Sequence, residues 1–172
     1  MEMRTMLSGI KVIGLSRNLA APFCTMILAD LGAEIIKVES PKGDDARTYG
    51  PFINGKSGYF MSINRGKKSV TLDLKNPDDK AKLAQLLQDA DVMVDNFRPG
   101  VLDRMGITEE WVNSINPSLI FASLTGFGQT GPYRKKAAYD MVVQGYGGIM
   151  SITGQVGGEP TRVGASIGDL AA

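Results

Sequence analysis

Histidine is missing from all 172 residues. Its absence removes Ser–His and Cys–His nucleophile pairs, and histidine-ligated metals, from this chain. Acid–base or nucleophilic chemistry must therefore come from carboxylates, Lys, Tyr, Ser or one thiol. Cysteine is almost missing too. Cys24 stands alone, which excludes an internal disulfide framework and a multi-cysteine zinc site. No metal site is expected, and a lone thiol fits a reducing, cytoplasmic setting. No apolar run approaches the ~20 residues that a membrane helix needs. The opening residues, MEMRTMLSG, carry no apolar core, so a signal peptide is not expected. Charge of one sign is lacking as well. With 19 basic and 18 acidic residues the net charge is +1, and no bulk field calls for nucleic acid or an anionic membrane surface.

What is present suits a globular domain with a real core: hydrophobic residues make up 43% of the chain and charged residues 22%. Ile10–Leu15 is a short apolar run suited to a buried strand. Pro22 is placed to be the first residue of a helix whose apolar positions are Phe23, Met26, Ile27 and Leu31, with Gly32 ending it. Cys24 in that helix reads as a small buried residue. Glu34–Glu39 is the second strand, and Ser40–Phe52 is a polar loop. Strand, helix, strand and a terminal Glu39 outline a dinucleotide fold. The first turn, SRNLAAP, lacks the G-x-G-x-x-G fingerprint, so a dinucleotide site of the usual kind is not expected.

Ser69–Leu74 alternates and reads as a strand; the basic turn Arg65–Lys68 before it is a phosphate-holding or a solvated turn. Asn76-Pro-Asp-Asp79 is a strong helix start. Ala90–Val94 reads as a strand leading into Asp95–Gly100, and a helix begins at Val101. An aromatic, an arginine and a helix start together suit a nucleotide pocket or a loop packed around Phe97. Thr108 opens a short helix that Asn116-Pro117 breaks, and Leu119–Leu124 is a further strand. Ala137–Met150 reads as a helix. This alternation predicts an α/β fold: a Rossmann-like, mainly parallel sheet with helices on both faces. Ligands belong at the carboxyl ends of its strands, at Ser16–Ala21, Ser40–Asp45, Asp95–Gly100 and Thr125–Gly131.

The last stretch holds eight glycines from Gly145 to Gly168, with Glu159 and Asp169 as its only acids. Glycine at that density lets backbone approach a ligand closely. Asp169, followed by Leu-Ala-Ala, is a helix cap or a reacting group.

Five segments occur in order: LAAPFCTMILADLGAEIIKVE, INRGKKSVTLDLK, DNFRPGVLDRMG, GFGQTGPY and RVGASIGDLAA. Together they closely resemble the N-terminal part of class III CoA-transferases, the CaiB/BaiF family of formyl-CoA transferase and the carnitine and bile-acid CoA-transferases. The resemblance runs from about Gly9 to Ala172. It implies that residues 1–172 are the N-terminal part of a large CoA-binding domain in a longer chain, within an interlocked homodimer. It implies coenzyme A or acyl-CoA as a substrate, with a carboxylic acid as its partner and no permanently bound cofactor. The family nucleophile corresponds to Asp169. CoA contacts carry over to Leu19 and Ala20 in the first loop and to Leu72, Asp73, Leu74 and Lys75 beside the adenine and ribose. They carry over also to Asn96, Phe97, Arg98 and Arg104 at the fourth strand, and to Lys136 and Tyr139.

The chain departs from formyl-CoA transferase at three of the positions compared. Leu19 replaces a glutamine that helps arrange the reacting carboxylates, Ser40 replaces an arginine near the nucleotide, and Ala137 replaces a lysine near the diphosphate. These departures bear on formyl-CoA and oxalate as substrates more than on CoA. Two other readings stand beside CoA transfer. α-Methylacyl-CoA racemases share the fold but use a His-Asp pair where this chain has Tyr139-Asp140. An isolated segment of this length could also bind CoA without catalysing anything.

Overall fold

A computed structural model describes residues 5–172. The chain forms two compact units, one ending at Leu124 and one spanning Thr125–Ala172. Among the described residues no helix is long and apolar enough to cross a membrane.

The first unit is built on β1 (Lys11–Leu15), α1 (Ala20–Asp30) and β2 (Glu34–Glu39). A 3-10 turn at Asp45–Thr48 and a small hairpin of β3 (Phe52–Ile53) and β4 (Lys56–Ser57) follow. Next come α2 (Gly58–Asn64), β5 (Lys67–Thr71), α3 (Pro77–Gln88), β6 (Val92–Asp95), α4 (Val101–Arg104), α5 (Glu109–Ile115) and β7 (Ile120–Ser123). Five strands pair in the order β5-β2-β1-β6-β7, all parallel. The sheet therefore winds outward from β1 in both directions, as α/β sheets with a ligand crevice do.

Its two faces are covered because strand side chains alternate. Val12, Ile35 and Val94 pack with Ala21 and Ala33 around α1. Ile13, Leu15, Val38 and Met93 pack instead with Leu83 and Leu87 of α3, Leu102 of α4 and Val112 of α5. Val12 and Ile13, adjacent in sequence, are both fully buried in opposite layers.

Local signals explain most of the boundaries. Gly32 adopts φ +102°, a left-handed conformation suited to glycine, just past the end of α1. Pro22 is the third residue of α1 rather than its first, still within the turn where a missing N–H costs nothing. Asn76 caps α3 by accepting from the Asp78 amide at 2.8 Å, and Thr108 caps α5 through the Trp111 amide at 3.2 Å. Asn116 does more than break α5. Its buried Nδ2 donates to the Leu87 and Ala90 carbonyls at 3.0 and 2.8 Å, satisfying acceptors at the end of α3.

Two expectations shift, and one element is added. The strand read at Ser69–Leu74 starts two residues earlier and ends three earlier, because Leu72 makes its last ladder bond to Glu39 and Asp73 then turns the chain. Residues 58–64 form α2, whose start is capped by Ser57 accepting from the Phe60 amide at 3.0 Å. The helix expected over 137–150 shortens to α6 (Asp140–Tyr146), followed by a 3-10 turn at Ile149–Ser151. Gly148, at φ +79°, divides them. The second unit ends with α7 (Ile167–Leu170).

Candidate active site

Parallel strands deliver their carboxyl-end loops to one edge of the sheet. There the first unit holds a cleft of ≈ 410 Å³. Leu15, Ser16 and Arg17 contribute from β1, the chain from Val38 to Asp44 from β2, Leu72–Lys75 from beyond β5, and Phe97 from beyond β6. A smaller hollow of ≈ 360 Å³ is lined by Leu74, Lys75, Lys80, Arg104 and Met105, among others.

A buried ion pair holds this edge together. Lys37, mid-strand in β2, donates to Asp44 Oδ2 at 2.8 Å and to the Ser16 carbonyl at 2.6 Å. The two side chains are only 2% and 1% exposed. Asp44 Oδ1 accepts from the Asn18 and Ala46 amides at 3.1 and 3.0 Å. One lysine and one aspartate thus tie the loop after β1 to the loop after β2. The pattern around Lys37, a cation inside the apolar run Ile35–Val38, is the signal that would have found the pair.

Of the residues named from sequence, Leu72, Asp73, Leu74, Lys75 and Phe97 do meet in the larger cleft, and Arg104 lies in the smaller hollow. Asp95 shapes this region by accepting from the Phe97 amide at 2.9 Å, and burial pushes its carboxyl pKa up. Asn96 also ties two loops. Its amide accepts from the Arg17 N–H at 2.9 Å and donates to the Arg17 carbonyl at 2.8 Å, clasping two loops. Leu19, at the N-cap of α1, Ala20, its first residue, and Arg98 are not among the residues lining either hollow.

Glu39 occupies the place of the ribose-binding acid in a dinucleotide fold, but both its oxygens are taken. Arg47 grips it bidentately at 2.8 Å and Ser69 donates at 2.7 Å. Burial alone would raise its pKa, and these bonds outweigh it and hold the carboxyl at about 2. The basic turn before β5 is likewise engaged by the protein. Arg65 pairs with Asp30, Lys68 with Glu34 at 2.6 Å, and Lys67 donates to the Pro22 and Ile63 carbonyls and to Asn64. Burial draws Lys67 down to about 7.

In the second unit Asp169 is the third residue of α7, with Ser166 at the N-cap, so it does not cap that helix. The carboxylate is half-buried. Its pKa is raised, first by burial and then by the charge of Asp140. Asp140 is itself buried with both oxygens engaged: Oδ1 accepts from the Gly168 amide at 2.8 Å and Oδ2 from Gln144 at 2.6 Å. Tyr139 is 72% exposed beside it. Lys136 lies 3.9 Å from the Tyr133 ring and donates to the Tyr146 hydroxyl at 3.3 Å, within an edge-to-face cluster of Phe127, Tyr133 and Tyr146.

Residues 7–172 match CoA-transferase family III. The chain belongs to CoA-transferase family III. Similar family III relatives include an acetyl-CoA:oxalate CoA-transferase from Acetobacter aceti, 52% identical over 164 residues, covering 94% of this chain and 42% of that protein. The succinyl-CoA:glutarate CoA-transferase of Homo sapiens is 47% identical over 167 residues, covering 96% of this chain and 38% of that one. A crystal structure of a CAIB/BAIF family protein from Brucella suis superposes with a TM-score of 0.93 at 45% identity, covering 98% of this chain and 46% of that chain. The chain thus spans less than half the length of these family III relatives.

Proposed function

We propose that the protein to which these residues belong moves CoA from an acyl-CoA donor to a carboxylic acid acceptor, with Asp169 as the nucleophile. The observation that carries this reading is the state of the Asp169 carboxylate: half-buried beside the Asp140 carboxylate, with its pKa raised, on a turn held by Asp140. A partly desolvated carboxylate beside another anion is more basic and attacks a carbonyl more readily than one in water.

In the proposed sequence, Asp169 attacks the thioester carbonyl. The C–S bond breaks, leaving a mixed anhydride and CoA thiolate. The thiolate adds to the aspartyl carbonyl and expels the donor carboxylate, giving an aspartyl-CoA thioester. The acceptor carboxylate displaces the thiolate to form a second anhydride. The thiolate then takes the acceptor acyl group and frees the Asp169 carboxylate. No metal or redox step is required, and each expelled group is a thiolate or carboxylate. CoA is assigned to the cleft at the strand carboxyl ends, whose rim carries Lys42 and Lys75 as partners for phosphates, beside an Arg17 that pairs with Asp45. Family resemblance alone supports an interlocked homodimer.

The activities named for these relatives, acetyl-CoA:oxalate and succinyl-CoA:glutarate transfer, favour small dicarboxylic acids as donor or acceptor. In the full-length protein, Asp169→Asn is expected to abolish transfer while preserving the fold. Acyl-CoA with hydroxylamine is expected to yield an aspartyl hydroxamate at position 169 in the wild type only. Near-normal turnover by Asp169→Asn would overturn the assignment.

A further inference from the structure

One polar group in the second unit has no part in the chemistry above. Gln144, in α6, is fully buried. Its Nε2 donates to Asp140 Oδ2 at 2.6 Å and to the Ala165 carbonyl at 3.3 Å, while its Oε1 accepts from the Val163 amide at 2.8 Å. Asp140, one helical turn earlier, passes the restraint on by accepting from the Gly168 amide at 2.8 Å. One buried amide is therefore connected to residues 163, 165 and 168, the run of backbone leading into Asp169.

The fit on that side is close. A Cβ on Gly168 would lie 3.0 Å from Val143 Cγ1 and 3.2 Å from Asp140 Oδ1. The turn thus rests directly on α6, and glycine at 168 is what allows the Asp140 bond. A residue whose only task was to fill α6's buried stripe would be apolar, because burying an amide is unfavourable unless its bonds are made. Here both ends of the amide are used, and every bond leads to the approach to Asp169.

We propose that Gln144 is a positioning residue: acting through Asp140 and the backbone of residues 163–168, it fixes the turn that presents Asp169. This rests on the reading of Asp169 as the nucleophile. Gln144 touches no substrate. Its loss releases the turn, and a displacement on the order of 1 Å at a reacting group lowers turnover about a hundredfold.

The test uses the full-length enzyme with Gln144→Leu, which keeps the volume and removes all three bonds. The expected result is a fall in kcat of about a hundredfold, with KM for acyl-CoA changed less than about threefold because the CoA-binding cleft is untouched. Hydroxamate formation at Asp169 in a single turnover should slow in parallel. A folded variant with kcat within about threefold of wild type overturns the proposal, as does a loss confined to KM; in either case Gln144 would be a packing residue. If Gln144→Leu fails to fold, Gln144→Met decides by the same criteria. It follows the path of the glutamine side chain and makes none of its three bonds. Asp169→Asn run alongside separates the two ideas. An active Asp169→Asn enzyme removes the nucleophile reading and this inference with it. An inactive one beside a fully active Gln144→Leu enzyme removes this inference alone.

Discussion

Replacing Lys37 with methionine tests whether the carboxyl-edge cleft is held open by a buried charge pair. Methionine keeps most of the side-chain volume, so packing changes little. What disappears is the 2.8 Å bond to Asp44 and the 2.6 Å bond to the Ser16 carbonyl. Asp44 is left as an anion with 1% of its side chain exposed. Removing one partner of a buried pair costs about 3–5 kcal/mol, because the remaining charge is desolvated without compensation. The Asn18 and Ala46 amides still donate to Asp44, which places the loss at the lower end, about 3 kcal/mol. For a domain of this size that lowers the unfolding midpoint by about 6–12 °C. Affinity for CoA should fall as well, since the loops after β1 and β2 are no longer tied. Differential scanning calorimetry and CoA titration read the two effects. The double variant Lys37→Met with Asp44→Asn should recover at least about 1 kcal/mol, because it removes the stranded charge and keeps an acceptor for the two amides. A single-variant midpoint within about 2 °C of wild type, or a double variant less stable than the single, would refute the reasoning.

Two further outcomes follow from the same edge. Lys75→Ala and Arg104→Ala should each weaken CoA binding by a charge-assisted contact, about 1.5–3 kcal/mol by calorimetry, and unchanged affinities would place the nucleotide elsewhere. Glu39 is held at about 2 when folded against an ordinary 4.5, so its contribution is complete above about pH 4.5 and is lost as the pH falls toward 2. Allowing for the half-exposed Arg47, that contribution is about 1–2 kcal/mol, and it should vanish from urea-unfolding curves over that window in Glu39→Gln. An identical acid limb in the variant would show that Glu39 carries no such stability.

Residue order alone was enough for the elements whose signals are local. Apolar runs specify β1 and β2, Asn76-Pro77 starts α3, Thr108 starts α5, and Gly32 ends α1, because caps and periodicity act within a turn or two of chain. Alternation of strands and helices was enough for a parallel sheet with covered faces, and the ordered motifs for the family. Tertiary structure decided what each polar side chain is for. Nothing in the sequence shows that Asn96 clasps the Arg17 backbone or that Glu39, at the end of β2, is held by Arg47 and Ser69. Lys37 and Gln144 look like interruptions of apolar runs, yet each organises a loop. Apart from Asp140, one helical turn from Gln144, their partners lie 7 to 21 residues away, and a hydrogen bond between such residues exists only once the chain has folded. Asp169 follows the same logic. Its identity is legible in Gly168-Asp169, but the burial and the neighbouring Asp140 charge that raise its pKa come only from packing α7 on α6.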